Sequence, residues 1–572
     1  MWGARLKNWI FFLVLSLSCA IIAPFPCGAT TYYVRPDGGT ADECTGLVNA
    51  AYPGSGSQQP CAWSHPFWAL DGSGNWKIQG GDALMISPGS YRLGVDHPGT
   101  PAIETPNTGW CDTNWPWGCL LPPLPSGPDG DHPTRILGMG WDQGCPDPPE
   151  LWGAERPWQL ISLDGTSNAV IACLELTDHS GCVEYHADGD ARCERDAYPF
   201  GDWASCGISA ADASHITFRD LNIHGFASAG VRAGRISDWH VEKVRIAGNG
   251  WVGWEGDIYG EDANSGTLTF KNWVVEWNGC AETYPGETPN NCWAQSAGGY
   301  GDGVGTGATG GHWIIEDSIF RYNTSDGLDL LYARLSDSLI EIRRTEAYGN
   351  AGQQIKVNGP TLIENTLMVG NCGFFDGKPF TYHVDPCRAG GTTLALDVRK
   401  GATVSVVNST IAGEGDCLAI VVCDAYAQCD GTETIVIQNN IFLGYEEFLE
   451  PSDTACYLWF DQDNFYITQI DYNIVFGAKI GAWGLSANDS SVDPLLVNDN
   501  LYAFDGHLKP QSPAINRGLP VGSLGGLVPA HDLEGISRPR GKGVDRGAYE
   551  YRGYAPIPWT LLLSAGQGQS KP

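Results

Sequence analysis

The chain reads as all-β, a single-stranded parallel β-helix with an N-terminal cap and loop insertions, and three observations predict this fold class. A unit of apolar alternation, one polar residue, renewed alternation and a Gly or Asn turn keeps returning, as at residues 215–225, 313–323, 361–371 and 437–444. Aligned on the polar residue, the units give Asp220, Lys243, Asn272, Asp317, Arg344, Asn365, Asn408, Asn440 and Asn473, with gaps of 23, 29, 45, 27, 21, 43, 32 and 33 residues. Most of these intervals suit one coil of a solenoid, and the long ones carry inserted loops. No long segment has a 3.6-residue period, and 75 glycines are available for corners. A chain of 572 residues ordinarily suggests several domains, but a solenoid stacks coils without separate cores, so one long domain is expected.

The segments follow in order. Residues 1–29 carry Arg5 and Lys7, an apolar run from Trp9 to Ala23 and small residues up to Ala29, the pattern of a secretory signal. The run is shorter than the ~20 residues a membrane helix needs, and Pro24 ends it. Residues 30–165 are read as an N-terminal cap, decorated loops rich in Pro, Trp, Gly and Cys, and the first coils. The coil pattern proper occupies 166–480, a closing segment 481–554 and a tail 555–572. A cap or closing segment is needed because an open coil end offers unpaired strand edges to other chains.

Seventeen of the 19 cysteines lie beyond Ala29 and none forms a CxxC pair, which agrees with export and disulfides rather than a zinc site. Close pairs such as Cys111/Cys119, Cys173/Cys182, Cys193/Cys206, Cys280/Cys292 and Cys372/Cys387 are candidates for stapling single loops, and an odd count leaves one thiol over. The formal charge of −33, with no concentrated basic patch, argues against nucleic acid and anionic membranes as partners. A polyanionic substrate would need bridging cations.

Candidate chemistry lies in three successive repeats, at residues 301–305, 325–329 and 352–356. Asp302 precedes Asp326 by 24 residues and Asp329 precedes Lys356 by 27, so one winding per interval stacks these side chains on one face. Neighbouring coils lie about 4.8 Å apart, and two carboxylates at that separation repel unless a cation sits between them. A calcium ion held at about 2.4 Å by each oxygen fits the gap. Asp302, Asp326 and Asp329 are the expected ligands, with Glu255 a further one from the preceding register. Lys356, desolvated and near a cation, is expected to be neutral and to act as a base. Arg343 and Arg344 are candidates for holding substrate, though adjacent strand residues face opposite ways and only one of them can do so. Several of the 22 tryptophans, among them Trp110, Trp115, Trp117, Trp251 and Trp254, have the right chemistry to stack on sugar rings. The plainer alternative is that Asp and Asn at coil corners only hydrogen-bond the turn backbone and stack as ladders. A GxGxxG match at 305–310 precedes a strand and has no βαβ context, so it carries no nucleotide site.

The opening at 32–40 and the stretch 80–91 resemble the N-terminal part of secreted right-handed parallel β-helix proteins of the pectate-lyase-like superfamily, and residues 493–550 resemble the C-terminal segment of many bacterial β-helix proteins. Locally, Ser325-Asp326-Gly327-Leu328-Asp329-Leu330 and Gln354-Ile355-Lys356-Val357 are similar to the calcium and lysine segments of family-nine polysaccharide lyases, with Asp302 matching an aspartate one coil earlier. Ser325 stands where that family has an aspartate, and the glycines after its lysine are reduced to Gly359. The resemblance implies a right-handed coil and a Ca2+ cofactor. It also implies β-elimination on a pectate-like, uronic-acid-containing polysaccharide, with Lys356 as base. It places the protein as a monomer outside the cell, on its surface or in the periplasm, acting on anionic or neutral polysaccharide, with no membrane span in the mature form. Residues 323–329 also resemble polygalacturonases, hydrolases on the same fold, although their Gly-His-Gly and Arg-x-Lys segments are absent. A non-catalytic glycan-binding or cell-surface β-helix is the third reading.

Overall fold

The computed structural model describes residues 28–95, 110–111, 113–184, 193, 198–256, 258, 263–293, 301–424, 429–461, 466–481 and 484–553. All but the last two residues of the expected signal segment, and the whole tail 555–572, lie outside them. Among the described residues no helix is long and apolar enough to cross a membrane.

The fold is a right-handed parallel β-helix with three walls. One wall is a ten-stranded sheet whose strands follow chain order, from Ile161–Ser162 through Val252–Gly256, Val304–Thr306, Leu328–Leu330 and Ile355–Asn358 to Cys456–Phe460, each parallel to the next. The other two walls form a 22-stranded sheet, because Ser167–Asp178, Ser214–His224 and Ser237–Ala247 run through both. Later coils break at that corner, as between Leu339–Arg343 and Glu346–Tyr348. Each coil pairs only with its neighbours, so stability builds up from nearest-neighbour interfaces.

The corner explains the returning polar residue. Asp220, Lys243, Asn272, Asp317, Arg344, Asn365 and Asn408 all have φ between 48° and 54°, the left-handed turn that bends the strand. In the last two coils the register differs by one residue from the sequence alignment. There the left-handed residues are Asn439 and Tyr472, while Asn440 and Asn473 point inward. Asn440 N–H donates to Asn473 Oδ1 at 3.0 Å and its Nδ2 to the Val406 carbonyl at 2.9 Å. Either residue of an Asn-Asn pair tolerates the left-handed turn, and a tyrosine there is not nominated by propensity, so strand pairing decides.

Inside the ten-stranded wall, Ile208, Val231, Trp254, Val304, Leu328, Ile355, Leu394, Ala419 and Leu458 stack in one inward column. All are buried. Around the next corner a polar ladder runs through the core: Asn249, Asn278 and Asn323 each pass an Nδ2–H to the amide oxygen of the next coil at 2.8–2.9 Å, and Asn350 Nδ2 closes the series on Gln354 Oε1 of its own coil at 2.9 Å. Buried amides are tolerated there because each is paired.

Eight disulfides join described residues, and Cys206 is a buried free thiol. Cys111–Cys119, Cys280–Cys292 and Cys372–Cys387 pair as expected from spacing. Cys173 instead bonds Cys145, and Cys193 bonds Cys182, because the coil brings residue 145 back against the corner at Cys173. The described residues of segment 481–554, expected to close the solenoid, run along the corner as a strap. Asn365 Nδ2 donates to the His531 carbonyl, Asn408 Nδ2 to that of Asp545, and Asn439 Nδ2 to that of Leu519. Arg538, fully buried with Glu550 at 2.8 Å, donates to Asn365 Oδ1 at 3.0 Å. The strap thus uses the outward amides that the left-handed corners present.

Candidate functional site

The Asn ladder delivers the chain directly to the acidic register. Asp326 follows Asn323 by three residues, and its N–H donates to Asp302 Oδ1 at 2.9 Å. Asp326 Oδ1 in turn accepts the Gln353 N–H at 2.7 Å. Each aspartate therefore caps the backbone of the next coil with one oxygen and keeps the other for something else. Asp329 Oδ1 accepts the Leu331 N–H at 2.8 Å.

The second oxygens of Asp326 and Asp329 converge on Lys356. Asp329 and Lys356 are register partners on adjacent strands, and Lys356 Nζ lies 2.6 Å from Asp326 Oδ2 and 3.3 Å from Asp329 Oδ2. Arg388, the residue after Cys387 of the Cys372–Cys387 disulfide, donates to Ser325 Oγ at 2.5 Å and to Asp326 Oδ2 at 3.2 Å. One ligand oxygen from each of Asp302, Asp326 and Asp329 lies within 4.8 Å of the others. Asp302 and Asp326 are buried, and Lys356 keeps only 15% of its side chain exposed.

The three expected carboxylates are therefore brought together with Lys356, while the remaining candidates fall elsewhere. Glu255 shares the outward column Glu255, Gly305, Asp329, Lys356 but is separated from Asp329 by the Gly305 coil. It pairs with Arg232 at 2.6 Å. Arg343 and Arg344 lie on the 22-stranded sheet, not on the wall of Lys356. Arg343 is bound to Glu364 at 3.1 Å and to Glu341, and Arg344 to Asp317 at 2.6 Å. Trp254 is corrected outright: it belongs to the inward column, 1% exposed, and meets Trp239, Phe270 and Trp273 edge to face at 5.4–5.8 Å, so no sugar reaches it. Arg388 and Asp397 are the site-adjacent residues that sequence reasoning missed. Asp397 pairs in register with Asn358, one strand beyond Lys356.

The charge state of Lys356 also corrects the expectation. Burial alone would drive off its proton, but Asp329, Asp326 and Asp302 outweigh that and hold the ammonium well above the usual lysine range. Burial raises Asp302 well above the carboxylate range, with Asp326 and Asp329 adding to it, and burial likewise raises Asp329. Asp397 is pushed up to about 7, by burial first and then by Asp424 and Asp329. Lys356 is thus an ammonium at neutral pH as long as these carboxylates are its partners.

The donor set suits a calcium ion in spacing and chemistry. Three carboxylates present oxygens at a separation that two calcium–oxygen bonds of about 2.4 Å span. Gln353, stacked on Asp326, keeps Oε1 buried with no partner among the described residues. The ion's competitors are Lys356 and Arg388, which already contact Asp326 Oδ2.

No protein-family model and no curated relative matches the chain. Solved structures resemble it in coil architecture. Pectate lyase Pel9A is 12% identical over 91% of this chain and 96% of its own, with a TM-score of 0.41. XylC, solved with xylose, is 10% identical over 91% and 99%, with a TM-score of 0.44. The A-module of the mannuronan C-5 epimerase AlgE4 from Azotobacter vinelandii is 14% identical over 72% and 91%, with a TM-score of 0.37.

Proposed function

We propose that this is a secreted polysaccharide lyase that cleaves a uronic-acid-containing, pectate-like polymer by β-elimination. The observation that carries this reading is the placement of Lys356 on the outward column against Asp326 and Asp329, a base-capable amine among buried carboxylates on an exposed wall. Export is supported by the N-terminal apolar run and the eight disulfides.

Asp302, Asp326 and Asp329 would hold Ca2+, which when bound neutralises the substrate carboxylate and acidifies the proton on the adjacent C5 carbon. With Asp302, Asp326 and Asp329 engaged as ligands, the groups that keep Lys356 protonated would no longer do so, and burial would favour its neutral amine. The amine takes the C5 proton; the C5–H electron pair becomes the C4–C5 double bond, and the glycosidic oxygen on C4 leaves with the C4–O pair. Arg388, fixed by Ser325 and Asp326, supplies a guanidinium for a substrate carboxylate.

Incubation with pectate, alginate and glycosaminoglycans, with calcium and with chelator, tests this by ultraviolet absorbance of the conjugated product. The expected result is a calcium-dependent rise lost in Lys356→Ala; a rise that survives Lys356→Ala removes the lysine as base. A hydrolase is the second reading, favoured by Asp397, a further carboxyl on the strand next to that of Lys356. New reducing ends without absorbance, lost in Asp397→Asn, would identify it.

A further inference from the structure

Among the described residues three tryptophans stand exposed, Trp115, Trp158 and Trp459. Two of them have partners for their rings: Trp115 meets Trp117 edge to face at 5.1 Å, and Trp158 lies under the Arg156 guanidinium at 4.9 Å. Trp459 is 49% exposed and meets no aromatic ring or cation among the described residues. It is the one exposed residue of Cys456–Phe460, the last strand of the ten-stranded wall, where Tyr457, Leu458 and Phe460 are buried. An exposed apolar side chain alone is ordinary. What singles this one out is its register.

Strand pairing gives an unbroken outward column, Lys356, Ala395, Ile420 and Trp459, in four adjacent strands. Parallel strands in register project such side chains to the same face, so the indole shares the wall with the lysine, three strand spacings or about 14 Å along the solenoid. Ala395 is small and buried and Ile420 is half-buried, so this column carries no bulky or charged side chain between the two. Asp397, Asp424 and Asp461 lie at the downstream ends of the same three strands, Leu394–Val398, Cys417–Cys423 and Cys456–Phe460. They make that flank acidic, so it does not attract a substrate carboxylate. Contact through the C–H face of a sugar is indifferent to that charge, and an indole provides it.

We infer that Trp459 is a distal subsite of the Lys356 site, its indole stacking on a sugar unit of the same polymer chain several units from the bond that breaks, with the intervening units over Ala395 and Ile420. The inference rests on the lyase reading and deepens it: the preferred substrate is a long chain laid along the solenoid, not a short oligomer. A contact this far from the reacting atoms holds substrate and transition state alike, so its loss shows in KM rather than in kcat.

Elimination kinetics of the full chain in calcium, on oligogalacturonates and oligomannuronates graded from dimer to octamer, test this. Wild-type KM should fall with oligomer length. Trp459→Ala should raise KM about five- to ten-fold on the longest oligomers and far less on the shortest one cleaved, and Trp459→Phe, which keeps a ring, should restore most of the difference. Wild-type KM in Trp459→Ala on long oligomers, or an equal rise on short and long ones, overturns the subsite and leaves the lyase reading standing. If the wild type forms no unsaturated product from any of them, it is the lyase reading that fails. Calorimetry with the same oligomers then decides the subsite: weaker binding of the long ones in Trp459→Ala upholds it, and unchanged or absent binding overturns it.

Discussion

Asp326→Asn isolates the electrostatics of the candidate site, because the asparagine keeps the shape and an Oδ1 to accept the Gln353 N–H. Its Nδ2 would instead point a donor at Lys356 Nζ and Arg388, which lie 2.6 Å and 3.2 Å from Asp326 Oδ2. Breaking one side of a buried ion pair costs about 3–5 kcal/mol. The lower end applies, since Asp329 still faces Lys356 at 3.3 Å and the lysine reaches solvent. A loss of about 3 kcal/mol corresponds to a fall in Tm of roughly 2–3 °C in a chain of this length. Thermal unfolding followed by circular dichroism reads it, and a cycle with Lys356→Met apportions it. The double variant should be less destabilised than the sum of the singles by at least about 1 kcal/mol. Calcium should raise the wild-type Tm by mass action and raise that of Asp326→Asn less. An additive cycle, or a Tm equal to wild type, would refute the claim that Asp326 holds both cations.

Two other outcomes concern buried polar groups elsewhere in the solenoid. His224 is buried, which opposes its charge, yet hydrogen bonds to Glu175 and Glu282 raise its pKa to about 10. A raised pKa stabilises the fold fully below the unfolded value of about 6.5 and is lost as pH climbs through about 10, so His224→Gln should flatten the decline in stability across that window. A slope identical to wild type counts against the Glu–His–Glu arrangement. Asn323→Ala removes the middle of the amide ladder, leaving Asn278 and Asn350 short of partners; chemical denaturation should show a loss of about 2–4 kcal/mol, and a loss below about 0.5 kcal/mol would mean water replaces the amide.

Much of this was legible before folding because a solenoid converts sequence interval into contact. The 27 residues from Asp329 to Lys356 are one coil, and the two are register partners. The repeated polar residue marked the left-handed corner in seven coils for the same reason. Trp254 could have been placed by the same rule. Glu255 faces out, so its strand neighbour faces in. Arg388 was hidden because its coil carries an insertion, and the disulfide that returns it to Ser325 has no periodic signature. The plainer alternative, aspartates as backbone ladders, also holds in part, since Asp302 and Asp326 each spend one oxygen on the next coil's N–H.

The sequence by itself determined the coil repeat, its corners and the stacking of three acids with a lysine, since these depend on local alternation and on one repeating interval. Only the tertiary structure decided that the lysine is held charged, that Arg388 joins it, and that Trp459 stands exposed in the column of Lys356. Charge state and exposure are set by the sum of groups from distant coils around a low-dielectric interior, and no spacing along the chain encodes that sum.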